Sequence, residues 1–264
     1  MIDIITLRGT GELRNSDGTP AGMLQDVTKL LDPARFSWFE PDWPASIGPD
    51  PNTWGPSLDT SVRLGVAAGV QALQDSPNVC GLLSYSLGGI VASTILEGVR
   101  AGQFTNVDGS PLEIAFVVNI ANPMRRSGQS VGGLCPAGTY GLHRRRKAWP
   151  TDVDVFEYAN PNDIITASAA DSPLRLIDAG ISPFSLVEGA RIGNLTPLLF
   201  HELLDFLLLD PVSNLDRYTA AVRGLLGYLT PWPDGEHVRY SGHTMPGTNV
   251  LWTTHAAEYL NANY

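Results

Sequence analysis

The chain has 264 residues, of which 43% are hydrophobic and 17% charged, so it can bury one large core, and we expect a single domain over residues 1–264. Its formal net charge of -10 argues against a nucleic-acid partner, because nucleic-acid binding depends on cationic contacts to phosphate. The sequence contains no stretch of ~18 apolar residues and no basic amino-terminal region followed by an apolar one, so we expect neither a membrane span nor a signal peptide.

Apolar runs of strand length alternate with segments of helical periodicity along the chain. The strand candidates are residues 1–7, 79–85, 114–120 and 153–158. The helix candidates are residues 57–76, 88–99 and, near the carboxyl end, 255–261. Residues 41–56 are rich in proline and tryptophan and predict a loop. Because strands that alternate with helices form βαβ units, the sequence predicts a three-layer α/β fold with a mostly parallel central sheet.

The most informative motif is the sequence Ser-Tyr-Ser-Leu-Gly at 84–88, which follows the second predicted strand. It is typical of a nucleophile elbow, in which a buried strand turns sharply into a helix and the central serine exposes its hydroxyl. Small neighbours are needed because the helix passes close to the strand, and Ser84 stands where the usual motif has glycine. The same pattern also occurs in turns whose glycine serves packing alone. Ser86 is the candidate nucleophile.

Strand patterns disappear between residues 164 and 229, where helical periodicity replaces them. We therefore predict a helical insertion over about 164–229. Residues 195–209 are too apolar for a solvated helix, so this segment either packs against the body of the domain or covers an apolar site as a lid.

A serine nucleophile needs a histidine base and an acid that orients it, and after a nucleophile elbow the acid comes first along the chain. Asp163 follows the last predicted strand, at the sheet edge where catalytic groups of α/β proteins collect. Its local sequence is also compatible with capping a following helix. Asp154 and Asp171 are weaker alternatives for the acid.

Five histidines are candidates for the base: His143, His201, His237, His243 and His255. His201 lies in the dense apolar segment and His255 at the start of the closing helix, which favours structural roles for both. His143 heads a basic run at 144–147 that is typical of a solvated face. His237 and His243 both lie in the loop before the closing helix, where such a fold carries its base, and the local sequence leaves both open.

These residue types suit ester hydrolysis. A neutral imidazole accepts the Ser86 proton as the hydroxyl attacks an ester carbonyl, and later returns it to the leaving alcohol. The charge that develops on the carbonyl oxygen needs donors, for which we predict the backbone N–H of Leu87 and the turn around Thr10. That turn lacks the third glycine of a dinucleotide-binding motif, and the chain has no zinc-binding motif, so we expect no cofactor and no metal.

Several segments resemble known esterases. The turn at 8–12, the elbow and the His-x-x-Tyr segment at 237–240 are similar to those of cutinases. The mycobacteriophage lysin B family of mycolylarabinogalactan esterases is a closer match, and the segments that carry this resemblance are residues 85–91, 121–128 and 158–163. The similarity extends from the first strand to the closing helix and implies an α/β-hydrolase fold. It also implies a Ser86, Asp163 and His237 triad, with a helical linker between acid and histidine.

The lysin B resemblance implies hydrolysis of the ester between mycolic acids and arabinogalactan by a phage lysis protein. Such a protein is made in the host cytoplasm without a signal peptide and acts on the host cell envelope after release. We therefore expect a mycolyl-arabinogalactan lipid ester as the partner, and a monomer. Some lysin B proteins carry an amino-terminal peptidoglycan-binding domain, which we do not expect here because the first predicted strand begins at Met1.

The sequence is also compatible with two alternative functions. One is a cutinase-like or general lipolytic esterase with a different acyl substrate. The other is a wall-binding protein on an inactive hydrolase scaffold, against which the presence of all three triad candidates argues.

Overall fold

The computed structural model describes residues 1–47, 49–50, 53–172, 175 and 235–264. Most of the predicted helical insertion, including His201, lies outside the described residues, and so does the choice between core and lid. Its first residues form turns and a two-residue strand, Ser168–Ala169.

The described residues form nine strands and four α-helices, numbered in chain order. The strands are β1 (Ile2–Leu7), β2 (Phe36–Phe39), β3 (Pro49–Asp50), β4 (Thr53–Trp54), β5 (Cys80–Tyr85), β6 (Ile114–Ile120), β7 (Thr139–Tyr140), β8 (Asp154–Tyr158) and β9 (Ser168–Ala169). The helices are α1 (Gly22–Thr28), α2 (Leu58–Asp75), α3 (Leu87–Arg100) and α4 (Trp252–Asn263), and two short 3₁₀ turns cover Val131–Gly133 and Glu236–Val238.

Five of these strands form the central sheet, in the spatial order β2-β1-β5-β6-β8, and all of its strand pairs are parallel. Two small antiparallel pairs, β3 with β4 and β7 with β9, lie outside it. Because the central strands run in one direction, the chain leaves each of them at the same edge of the sheet. The segments that follow β1, β5 and β8 therefore converge at that edge.

Side chains alternate between the two faces of the sheet, and each face has its own apolar core. Ile5, Leu82 and Val117 point to the face covered by α2 and α3. Ile4, Leu83 and Val118 point to the other face, which packs against α1 and α4. With helices on both faces, the predicted three-layer α/β fold with a parallel sheet is confirmed.

The long predicted elements match the observed ones closely, whereas several short elements were missed. Helix α2 begins after Ser57, whose Oγ accepts a hydrogen bond from the Thr60 N–H at 3.3 Å, as the predicted start at residue 57 requires. No sequence pattern predicted α1, the two-residue strands β3, β4, β7 and β9, or β2, which pairs with β1 at the edge of the sheet. Along the described part of the chain, no helix is long and apolar enough to cross a membrane.

Candidate active site

Ser86 lies at the apex of the turn between β5 and α3. Its backbone has φ 50° and ψ -115°, a conformation that costs a residue other than glycine about 1–3 kcal/mol. The Ser86 N–H donates to the carbonyl of Ile120 at 3.0 Å, and the Ser86 carbonyl accepts from the Gly89 N–H at 2.8 Å. These bonds and the buried strand and helix on either side hold the strained residue in place.

The elbow depends on small residues where α3 crosses the sheet. A Cβ atom at Gly88 would lie 1.8 Å from the carbonyl oxygen of Leu7 in β1, so the backbones approach too closely for any side chain there. Ser84 is fully buried, and its Oγ donates to Oδ1 of Asn119 at 2.5 Å. A serine is therefore accommodated at the usual glycine position because its hydroxyl has a partner on β6.

Three predicted residues meet in one chain of contacts. Ser86 Oγ lies 2.7 Å from Nε2 of His237, and Nδ1 of His237 lies 2.9 Å from Oδ2 of Asp163. The carboxylate only accepts, so the neutral imidazole carries its proton on Nδ1 and presents the Nε2 lone pair to the serine hydroxyl. All three residues are less than a tenth exposed, which strengthens these contacts.

Tyr85, next to the candidate nucleophile, holds the histidine. Its hydroxyl donates to the backbone carbonyl of His237 at 2.9 Å, and the two rings stack with centroids 5.7 Å apart. The Tyr85 ring lies so close to Gly9 that a Cβ atom there would be 2.5 Å from its Cδ1. The tyrosine thus connects the turn after β1, the elbow and the histidine loop.

Tyr240 holds the candidate acid, Asp163. Its hydroxyl donates to Oδ2 of Asp163 at 2.9 Å and accepts from the Asn160 N–H at 2.9 Å, while Oδ1 of Asp163 accepts from the Ile165 N–H at 3.0 Å. Burial, together with the neighbouring Asp163, raises the pKa of Tyr240 well above its ordinary value, so the phenol remains a donor. The His-x-x-Tyr motif at 237–240 contains this tyrosine, but the sequence indicates no role for it.

The alternative candidates for the base and the acid lie away from the contacts between Ser86, His237 and Asp163. His243 is near residues of its own loop, with Nε2 2.7 Å from a guanidinium nitrogen of Arg239 and Nδ1 3.4 Å from Oε2 of Glu236. Asp154 is at the start of β8, the opposite sheet edge from Asp163, and accepts from a tyrosine hydroxyl at the carboxyl terminus. Asp171 is exposed.

Two other histidines also lie apart from the elbow. His255 is inside α4, and its Nδ1 lies 3.0 Å from the Tyr158 hydroxyl. The backbone N–H of His143 donates to the Pro123 carbonyl at 2.9 Å, after β6.

The two predicted oxyanion donors follow neighbouring strands of the sheet, Leu87 after β5 and Thr10 after β1. Leu87 is the first residue of α3, so its N–H has no acceptor within the helix. In the turn after β1, the Gly9 N–H donates to the carboxylate of Glu12 at 2.9 Å and the Gly11 N–H to the carbonyl of Ala45 at 2.9 Å. The Thr10 N–H between them has no acceptor among the residues that the structure describes.

A buried ion pair anchors that turn. Arg8 contacts the carboxylate of Glu40 at 2.7 Å and also donates to the carbonyl of Trp43. Both side chains are buried, and burial raises the pKa of Glu40 to about 7. The pair fixes the end of β1 against the segment that follows β2.

A second buried carboxyl lies behind the elbow. Oε1 of Glu157 accepts from the side-chain amides of Asn119 and Asn122, each at 3.1 Å. Burial raises the pKa of Glu157 to about 7. A Cβ atom at Gly89 in α3 would lie 2.8 Å from Oδ1 of Asn122, so this network packs directly against the helix that follows the nucleophile.

Comparisons with known proteins support the fold. No protein-family model and no curated protein sequence matches this chain. Among solved structures, lysin B from Mycobacteriophage D29 is 18% identical, with 98% of each chain covered and a TM-score of 0.53.

Two acetylxylan esterase structures are also similar. One is 19% identical, covers 70% of this chain and 94% of its own, and has a TM-score of 0.48. The other, the catalytic core domain from Trichoderma reesei, is 17% identical, with 71% and 98% covered and a TM-score of 0.49. The likeness to lysin B over both chains shows that this chain has the α/β-hydrolase fold.

Proposed function

We propose that the protein is a serine esterase in which Ser86 is the nucleophile, His237 the base and Asp163 the acid that orients the base. The observation that carries this proposal is the pair of contacts at the elbow, 2.7 Å from Ser86 Oγ to His237 Nε2 and 2.9 Å from His237 Nδ1 to Asp163 Oδ2. A strained serine between a buried strand and a helix supports the same role.

The reaction follows from this geometry. Ser86 Oγ attacks the ester carbonyl while its proton passes to Nε2 of His237, and the imidazolium then gives that proton to the departing alcohol. A water molecule, deprotonated by the same nitrogen, attacks the acyl-enzyme; the carboxylic acid leaves and Ser86 regains its proton. Asp163 stabilises the imidazolium in both halves. The N–H groups of Leu87 and Thr10 receive the oxyanion, and each such donor is typically worth about 10²–10³ in turnover.

We further propose that the substrate is the ester between mycolic acids and arabinogalactan, cleaved by a phage lysis protein. The motifs that resemble lysin B support this substrate, as does the likeness to the lysin B structure over 98% of each chain. The protein would then be made in the host cytoplasm and act on the host envelope after release. The alternative is a cutinase-like esterase with another acyl substrate, which the cutinase-like turn, elbow and His-x-x-Tyr segment favour.

Hydrolysis of p-nitrophenyl butyrate and p-nitrophenyl palmitate by the wild type and Ser86→Ala tests the esterase. We expect the wild type to cleave both esters and the variant to lose at least about a thousandfold in rate. Equal rates for the two proteins would contradict the proposal.

Purified mycolyl-arabinogalactan tests the substrate, with release of free mycolic acid as the measurement. Release by the wild type and none by Ser86→Ala is the expected result. Hydrolysis of p-nitrophenyl butyrate without any release of mycolic acid would favour the cutinase-like alternative.

A further inference from the structure

The basic residues of this acidic chain are unevenly distributed. Between Glu113 and Asp152 the sequence has no acidic residue, yet it holds six of the 17 lysines and arginines. These six are Arg125, Arg126, Arg144, Arg145, Arg146 and Lys147. Such a local excess of positive charge in a chain of net charge -10 is not needed for solubility.

Five of the six line a single groove of about 610 Å³, from which only Arg144 is absent. Arg144 is paired with Glu97, 2.8 Å from its carboxylate. One wall of the groove is the β7 strand, where Tyr140 lies under the guanidinium of Arg145, 5.1 Å from its ring centroid. No Asp or Glu is among the described residues that line the groove.

Among the described residues, none of the five basic side chains that line the groove forms an ion pair with an Asp or Glu side chain. Arg125 is buried, and its guanidinium donates to three backbone carbonyls and to the hydroxyl of Thr139. Arg146 contacts the Gln129 amide oxygen at 2.5 Å, and its Nε is buried without a partner among the described residues. The side chains of Arg126 and Lys147 are exposed and end without an acceptor in the part of the chain that the structure describes.

Two buried carboxyls interact electrostatically with the groove. Glu97, which is paired with Arg144, is attracted to Arg146 and accepts from the backbone N–H of Lys147 at 2.6 Å. Glu157 is attracted to Arg146 and Arg125, but burial raises its pKa to about 7, so it is only partly ionised at neutral pH. It therefore compensates a small part of the positive charge. A cluster of positive groups without full compensation, of which Arg125 is buried and Arg146 is half-buried, favours an incoming anion.

The groove adjoins the candidate active site. Arg125 donates from Nε to the Thr166 carbonyl at 2.7 Å, and the Thr166 N–H donates to the backbone carbonyl of Asp163 at 3.2 Å. Residues 121–148 follow the carboxyl end of β6, the strand between the elbow strand and the strand before Asp163. The groove thus opens at the same edge of the sheet as Ser86.

We propose that this groove, lined by Arg125, Arg126, Arg145, Arg146 and Lys147, is a binding site for a phosphate group. Phosphate suits it better than a carboxylate because several cations converge there, and a phosphate offers up to two negative charges and several acceptor oxygens. The phosphate belongs either to a soluble or polymer-linked phosphate ester or to an anionic lipid headgroup. A site at the same edge of the sheet as Ser86 would hold a phosphate-bearing surface at that edge. It goes beyond the proposed esterase activity and does not depend on it.

The test uses the full chain and two charge-matched double variants. Arg126→Gln with Lys147→Gln removes the two unpartnered cations of the groove. Arg63→Gln with Arg100→Gln removes two exposed cations from α2 and α3, outside the groove, and so changes the net charge equally. Calorimetric titration with glycerol 3-phosphate and sedimentation with phosphatidylglycerol or phosphatidylcholine vesicles measure binding at low salt. Hydrolysis of p-nitrophenyl butyrate and thermal melting are measured in parallel.

We expect saturable binding of glycerol 3-phosphate by the wild type, weakened at least about tenfold in the groove variant and unchanged in the control, because charge-assisted hydrogen bonds are lost. Binding of phosphatidylglycerol vesicles alone, with the same ranking of variants, would also support the site and would assign the phosphate to a lipid. Rates with p-nitrophenyl butyrate should be equal in all three proteins. If the wild type binds neither probe, or if both double variants weaken binding equally, the groove is not a phosphate site. Absence of hydrolysis by the wild type would refute the esterase and leave the binding result unaffected.

Discussion

Replacing Tyr240 by phenylalanine tests whether this tyrosine positions the acid of the site. The change removes one oxygen and keeps the buried ring, which packs against Trp252 with centroids 5.3 Å apart. Two hydrogen bonds are lost with that oxygen. One is donated to Oδ2 of Asp163 and the other is accepted from the Asn160 N–H, both at 2.9 Å.

The expected loss of stability and activity in Tyr240→Phe follows from the hydrogen bonds that Asn160 and Asp163 lose and those that they keep. The Asn160 N–H is left without its acceptor in a buried place, which costs about 1–3 kcal/mol, and the hydrogen bond to a carboxylate is worth about as much. We expect a loss of about 2–4 kcal/mol in the free energy of unfolding and a Tm lower by roughly 5–15 °C. Asp163 keeps its contact with His237 but loses one support, so kcat should fall by about 10–100-fold.

The assay is p-nitrophenyl butyrate hydrolysis at a temperature where circular dichroism shows every variant folded. Tyr158→Phe is the matched control, because Tyr158 is also buried and its hydroxyl contacts His255, away from Asp163. The control should lose stability and keep kcat. If Tyr240→Phe keeps kcat within about twofold, or if the control loses as much, Tyr240 has only a structural role.

Five other substitutions have defined outcomes. In ester hydrolysis, His237→Ala should lose at least roughly a thousandfold and His243→Ala should keep most activity; the reverse order would move the base to His243. Asp163→Asn should remain folded yet lose about four orders of magnitude in kcat, because the imidazole takes the wrong tautomer, and a small loss would point to another acid. Gly88→Ala should fail to fold in a circular dichroism melt, since its Cβ would meet a backbone oxygen at 1.8 Å, whereas a native-like melt would refute the close approach. The pKa of Glu157 is raised from 4.5 to about 7, so the folded state retains a proton that the unfolded state releases, and stability falls as pH rises between these values. Glu157→Gln should remove up to about 3 kcal/mol of that fall in denaturant titrations, and an unchanged pH slope would contradict the shift.

The elements that sequence patterns predicted are those with long apolar runs. Residues 114–120 were predicted as a strand and form β6 with the same bounds, because a strand buried on both faces is continuously apolar. Helix α1 and strand β2 have seven and four residues, too few for periodicity to appear. Their structure depends on packing and on pairing with β1, which no local pattern records.

The residues of the candidate site also fall into those that the local sequence predicts and those that only the fold brings together. Ser86 belongs to a local motif and Asp163 follows a recognisable strand, so both were found from neighbouring residues. The same loop carries His237 and His243, and only the fold shows that the first ring reaches Ser86 while the second contacts Glu236 and Arg239. Contacts between distant residues were missed for the same reason, as with Tyr85, which is 152 positions from the histidine carbonyl that it binds.

The most direct test of the account is covalent labelling of the nucleophile by diethyl p-nitrophenyl phosphate, followed by mass spectrometry of the digested protein. The serine oxygen should displace p-nitrophenolate once per chain, with the diethyl phosphate on Ser86, and His237→Ala should slow this step by at least about a thousandfold. Labelling at another residue, or an equal rate in the wild type and His237→Ala, would contradict the claim that this imidazole activates this hydroxyl.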